Sequence, residues 1–226
     1  MNKFKLNINS ISKNYKKKSV LSDVNFSLSN GECIGIIGMN GSGKTTLFNT
    51  IAGETKQTSG EISLEIDGQI SSNYVKHIGY VPQENPLLYD LTAYDNLRLW
   101  YCDSPLDLKS EFENGMLNML GINEFKNVLV KKLSGGMKKR LSIGIALASN
   151  PDILLLDEPN ADLDLVAKKI IKDYLLSFKS DSKGILIATH DEGVLNICDK
   201  IYVLKNGTLN PIDKNCRGDQ LISYIK

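Results

Sequence analysis

At 226 residues the chain can build one good core, as a single domain or as one domain with a small insertion. A formal charge of +1 excludes a strong electrostatic pull on nucleic acid or an anionic membrane. No apolar run approaches the ~20 residues of a membrane-spanning helix. The N-terminus, Met-Asn-Lys-Phe-Lys-Leu-Asn-Ile-Asn, reads as strand and lacks a signal-peptide core. Cys33, Cys102, Cys198 and Cys216 are scattered, with no Cys-x-x-Cys pair, which fits reduced, mostly buried thiols in a cytosolic protein. With His77 and His190 the only histidines, a structural zinc site is not expected.

In chain order, Tyr15 comes first, among Lys16, Lys17 and Lys18. Its ring either stacks on the base of a bound nucleotide, worth ~1–3 kcal/mol by analogy with other base–aromatic stacks, or sits half-exposed beside a solvated basic turn. Val24, Phe26 and Leu28 then alternate with Asn25, Ser27 and Ser29, and Asn30-Gly31 signals a two-residue hairpin, so the first segment reads as antiparallel sheet. Cys33-Ile34-Gly35-Ile36-Ile37 reads as a buried strand, and Leu47–Ala52 as a helix stopped by Gly53.

Between strand and helix, Gly38-Met39-Asn40-Gly41-Ser42-Gly43-Lys44-Thr45-Thr46 fits the phosphate-loop pattern of glycine, four spacers and Gly-Lys-Ser/Thr. Its glycines open torsions that let successive N–H groups point at phosphate oxygens. Lys44 adds a mobile cation, the Thr45 hydroxyl can ligate Mg²⁺, and the helix's positive end would sit under the phosphates. The pattern in this context predicts a nucleoside triphosphate site.

Ile62, Leu64 and Ile66 mark another strand, closed by the Asp67-Gly68 turn, and Ile78–Val81 a further one, stopped by Pro82. Gln83 follows at the edge of the core; on its own it reads as a loop hydrogen-bonder. From about Glu84 to Asn127 the spacing becomes helical: Leu91, Tyr94, Leu97 and Trp100, then Met116, Leu117, Met119 and Leu120, with Thr92 or Asp90 as the first cap. This reads as a helical insertion whose Met-and-aromatic stripe is core.

Leu133-Ser134-Gly135-Gly136-Met137 precedes a helix expected from about Lys138 to Ser149, with Ser134 as its N-cap. That is a second anion-binding helix start, and one nucleotide rarely needs two, so the economical reading has two chains facing, each presenting this turn to the other's γ-phosphate. Lys138, Lys139 and Arg140 read as a solvated helix face. Ile153-Leu154-Leu155-Leu156 is a buried parallel-strand run ending in Asp157-Glu158-Pro159, where ligands bind in α/β sheets. Successive strand residues point opposite ways, so Asp157 can hold Mg²⁺, directly or through water, while Glu158 polarises the attacking water. Gly184–Ala188 leads to Thr189-His190-Asp191; a histidine there can orient water against a γ-phosphate or serve structure alone. Ile201–Leu204 with Asn206-Gly207 makes a last strand and hairpin.

Taken together, these pieces resemble the nucleotide-binding subunit of an ATP-binding-cassette (ABC) transporter, in order, from about Tyr15 to Leu209. Leu133-Ser134-Gly135-Gly136 is similar to the family signature, which other phosphate-loop ATPases lack. The resemblance implies an α/β fold: a phosphate-loop NTPase core with a mostly parallel sheet, an N-terminal antiparallel β-subdomain, and a helical subdomain of about 84–145 within a single domain spanning 1–226. It implies ATP and Mg²⁺ as ligands, with Tyr15 the adenine-stacking aromatic, Gln83 meeting Mg²⁺ and sensing a membrane partner, Glu158 the catalytic base and His190 the switch histidine. It also implies a homodimer or heterodimer of ATPase subunits on the inner face of the cell membrane, held there by integral membrane subunits, with no nucleic-acid partner. Two departures stand in the loop after Glu158: Asn160 where relatives usually have Thr, and Asp162 where they have Gly or Ala. The added carboxylate is expected to alter dimer closure or hydrolysis rate. Met137 leans toward export-type relatives. The rival readings are a soluble ABC ATPase of the iron–sulfur-assembly type and a non-hydrolysing regulator.

Overall fold

The computed structural model describes residues 3–16, 18–84, 86–161 and 163–225, so Lys17 and Asp162 lie outside the described residues. β1 (Phe4–Tyr15) and β2 (Lys18–Ser29) pair antiparallel, and β4 (Ser59–Ile66) and β5 (Gln69–Ile70) extend them into a sheet of order β2-β1-β4-β5. Register aligns the apolar alternation: Leu6 faces Leu28 on one side and Leu64 on the other, and Ile8 faces Phe26 and Ile62. All six side chains are buried, each contributing roughly 1.5–3 kcal/mol.

The second sheet has the order β10-β9-β3-β8-β7-β6, from β3 (Cys33–Ile37), β6 (Ile78–Val81), β7 (Ile153–Asp157), β8 (Gly184–Ala188), β9 (Lys200–Lys205) and β10 (Thr208–Ile212). Every pairing is parallel except the β9–β10 edge hairpin, which turns at Asn206 and Gly207, both at positive φ. Burial on both faces explains the unbroken apolar runs. Ile153 and Leu155 pack into the cluster shared with β1 and β2, while Leu154 and Leu156 pack into the one shared with the larger helices.

Asn30-Gly31 departs from the hairpin expectation. It carries the chain from β2 in one sheet to β3 in the other, with Gly31 at φ +65° and the Asn30 side chain accepting from the Phe4 N–H. The fully buried β3 belongs inside a parallel sheet, not beside an amphipathic partner.

The helices are α1 (Lys44–Ile51), α2 (Ala93–Tyr101), α3 (Leu108–Glu113), α4 (Met116–Met119), α5 (Gly135–Ala146), α6 (Leu165–Ser180), α7 (Glu192–Leu195) and α8 (Asp219–Ile225). Thr92 caps α2 by accepting from Asp95 N at 3.0 Å; Asp90 instead pairs with Lys131 at 2.9 Å. The expected core stripe divides. Leu97, Leu117 and Leu120 are fully buried against α5, where a Cβ on Gly144 would meet Leu117 at 2.8 Å, but Tyr94, Met119 and Trp100 are exposed.

Helix α5 begins three residues earlier than expected and ends at Ala146. Two of its three basic residues overturn the solvated-face reading. Lys139 donates to the carbonyls of Pro82 (3.0 Å) and Gln83 (3.1 Å), and burial pushes its ammonium down to about 8. Arg140 donates to the Leu120 carbonyl at 3.0 Å and lies over the Phe125 ring. A basic triplet after a cap looks solvated in sequence, yet backbone carbonyls can satisfy buried cations when they converge on them.

Candidate functional site

Three neighbouring strands, β3, β8 and β7, end at one edge of the parallel sheet, the position where α/β folds bind ligands. The loop after β3 enters α1 at Gly43, at φ +108°, which has no side chain to cap the helix and so leaves the first-turn N–H groups for another acceptor. Gly38 has no room for a side chain: a Cβ there would meet the Leu204 carbonyl at 2.5 Å. A cavity of about 940 Å³ opens over this edge.

Its walls bring together Tyr15, Asn40, Gly41, Gly43, Lys44, Thr45, Thr46, Gln83, Asp157, Glu158 and His190. Tyr15 is half exposed at one end, with Lys13 Nζ 4.8 Å from its ring centre. Of the phosphate-loop residues, Ser42 is not on this wall. It lines a smaller hollow beside Lys205, and its hydroxyl oxygen is buried without a protein hydrogen-bond partner.

Lys44 is buried, with Nζ donating to the Gly38 carbonyl at 2.7 Å and lying 3.7 Å from Glu158 Oε1 and 3.4 Å from His190 Nε2. His190 Nε2 in turn is 3.3 Å from Glu158 Oε1, so this ring nitrogen reaches both a donor and an acceptor, and its tautomer decides which bond it makes. Glu158 holds φ +49°, an uncommon conformation that turns its carboxylate into this group. Burial raises its pKa, although His190 and Lys44 oppose the rise.

Asp157 points elsewhere. It is fully buried, accepts the Thr45 hydroxyl at 2.6 Å through Oδ2, and leaves Oδ1 without a protein partner. An orphaned buried carboxylate oxygen beside a hydroxyl, with Gln83 on the same wall, is an all-oxygen donor set of the kind a hard cation takes. No cluster of three His, Cys, Asp or Glu occurs among the described residues, so a cation here would draw further ligands from phosphate or water.

The signature turn lies apart. Ser134 caps α5 by accepting from Met137 N at 3.3 Å, Ser134 and Gly135 are exposed, and none of Ser134, Gly135 and Gly136 lines the cavity. Gly136 packs tightly, since a Cβ there would stand 2.7 Å from the Ala167 Cβ on α6.

Sequence reading missed the far wall. Lys168 pairs with Asp191 at 2.9 Å, Asp191 also accepts from Gly193 N at 2.8 Å, and Asn160 hydrogen-bonds the same carboxylate. A cue existed: Lys168 sits near the start of α6, where a cation opposes the helix dipole unless a carboxylate receives it.

A family model described as ABC transporter matches residues 21–161. The lipopolysaccharide export system ATP-binding protein LptB of Haemophilus influenzae is 33% identical over 215 residues, covering 90% of this chain and 88% of that protein. The lantibiotic transport ATP-binding protein SrtF of Streptococcus pyogenes is 34% identical over 185 residues, covering 82% and 80%. Among solved structures, a dimeric ATP-binding cassette in a post-hydrolysis state with ADP and Pi superposes with a TM-score of 0.79 at 28% identity, covering 94% of this chain and 99% of that one. An ATP-binding subunit of an ABC transporter gives 0.79 at 27% identity, covering 90% and 87%.

Proposed function

The chain belongs to the ABC transporter family, and from that premise we propose that it is the ATP-hydrolysing motor subunit of an exporter, working as a dimer beneath membrane subunits. One observation carries the reading: Lys44, Asp157, Glu158 and His190 converge in one cavity, while the exposed signature turn stands outside it. A site with its base and cation in place and its second anion-binding turn facing away calls for another chain.

In this mechanism Tyr15 stacks on the adenine, and N–H groups from Asn40 to Thr46 hold the β- and γ-phosphates with the Lys44 ammonium. Thr45, Asp157 and Gln83 would hold Mg²⁺, which when bound would offset phosphate charge as the transfer proceeds. Glu158 takes a proton from the attacking water as general base, a step typically worth ~10²–10⁴-fold. His190 holds the γ-phosphate and keeps the Glu158 carboxylate oriented. Ser134, Gly135 and Gly136 complete the partner chain's site. Because both turns contact γ-phosphate, triphosphate favours the closed dimer and hydrolysis releases it.

The chain reads as a single cassette, its helical part spanning about 84–145. No helix among the described residues is long and apolar enough to cross a membrane; the export and transport systems named for LptB and SrtF support attachment through membrane subunits. A groove of about 670 Å³, lined by Tyr80, Pro86, Trp100 and Ile145 where the helical part meets the core, suits an apolar segment of a membrane subunit. LptB and SrtF carry export and transport in their names, which favours a transport role over a soluble assembly ATPase. Replacing Glu158 by Gln tests the assignment. Turnover should fall by at least ~10²-fold while an ATP-bound dimer accumulates in sedimentation; wild-type turnover in that variant defeats it.

A further inference from the structure

Lys139 lies one helical turn beyond the signature turn on α5 and is 5% exposed. It does not line the nucleotide cavity. Its ammonium is satisfied by two successive backbone carbonyls, Pro82 at 3.0 Å and Gln83 at 3.1 Å. These are the first residues after β6, where the chain leaves the parallel sheet and brings Gln83 to the cavity wall. A buried ammonium has given up its hydration, and a donor stranded without an acceptor there is costly. The loop therefore cannot retract from α5 unless Lys139 finds other acceptors.

We propose that Lys139 is a positioning residue for ATP hydrolysis: it holds the Gln83 loop against α5, so that the placement of Gln83 at the nucleotide follows the helix that begins with the signature turn. The link runs within one chain, from the turn offered to the partner to the chain's own metal-side glutamine. The proposal rests on the reading of Gln83 as a metal-side residue. Lys139 acts through the loop backbone and touches neither nucleotide nor metal.

A double-mutant cycle on the purified full chain separates this from a purely structural role. Steady-state ATPase activity is measured for Gln83→Ala, Lys139→Met and the double variant, with Lys139→Gln as the conservative control. The methionine keeps the stem length and apolar packing of lysine, and the glutamine amide can still donate to both carbonyls. Gln83→Ala and Lys139→Met should each lower kcat/KM about tenfold, and the double variant should be no worse than Gln83→Ala alone. Lys139→Gln should recover most of the activity. Additive losses, near a hundredfold in the double variant, or wild-type kinetics in Lys139→Met, overturn the proposal while leaving Gln83's role intact. Wild-type kinetics in Gln83→Ala defeat the reading of Gln83 and this proposal with it. If Lys139→Met does not fold, judged by its melting curve, the same cycle is run with Lys139→Ser; additivity there is equally fatal.

Discussion

Two carboxylates adjacent in sequence do different work because the backbone turns between them. Asp157 ends β7 in extended conformation and points to Thr45; Glu158 follows at φ +49° and points to Lys44 and His190. Burial disfavours the ionised form of Glu158, so its pKa is raised above the ordinary 4.5. A general base acts only when ionised. As pH falls, activity should therefore be lost above the range of an ordinary glutamate, and the acid limb of kcat against pH checks this; a limb at or below 4.5 contradicts it. Two adjacent glycines diverge in the same way. Gly135 has open space around a would-be Cβ, its nearest neighbour being Leu163 at 3.9 Å, whereas Gly136 is 2.7 Å from the Ala167 Cβ. Gly136→Ala should push α5 from α6 and cost ~1–3 kcal/mol, lowering Tm by roughly 2–4 °C for each of these, while Gly135→Ala should melt like the wild type.

At the scale of elements, what the sequence makes legible is whatever a local pattern dictates. Continuous apolar runs gave β3, β7 and β8; the glycine spacing gave the loop before α1; Thr92 and Ser134 announced the caps of α2 and α5. What stayed hidden depends on distant partners. Lys139 and Arg140 look solvated until carbonyls 57 and 20 residues away reach them. Asn30-Gly31 encodes torsions but not which sheet the next strand joins, and no motif announces that Lys168 meets Asp191. Trp100 shows the same limit, since its helical spacing reads as core while the fold leaves it 57% exposed on the groove beside Tyr80. As the chain's one tryptophan, it reports on that groove directly. Its emission should shift to shorter wavelength when membrane subunits engage, because the indole loses water; unchanged emission in a complex that co-purifies would place the docking surface elsewhere.

At the scale of the molecule, the decisive question is whether one site draws on two chains. The cavity gathers the loop, both carboxylates and the histidine from a single chain, but Ser134 and Gly135 open to solvent away from it, and Gly136 behind them packs on α6. Two inactive variants can therefore complement each other. Glu158→Gln removes the base and keeps the signature turn. Gly135→Asp keeps the base and sets a carboxylate against the partner's phosphates; the open space at Gly135 means the change should spare the fold. Alone, each should form dimers with no complete site. Mixed in equal amounts and pairing at random, half of the dimers combine the two, and each of those holds one complete site, so about a quarter of wild-type activity should return. A site built within one chain predicts no recovery at all, because every chain in the mixture then carries a defect in its own site. The size of the recovery also bears on the partner. If the natural assembly pairs this chain with a different sister subunit, the purified chain alone should show weak activity and the mixture should recover little. Adding the sister to Gly135→Asp would then still fail to restore the sister's site, while adding it to Glu158→Gln would leave the sister's own site running.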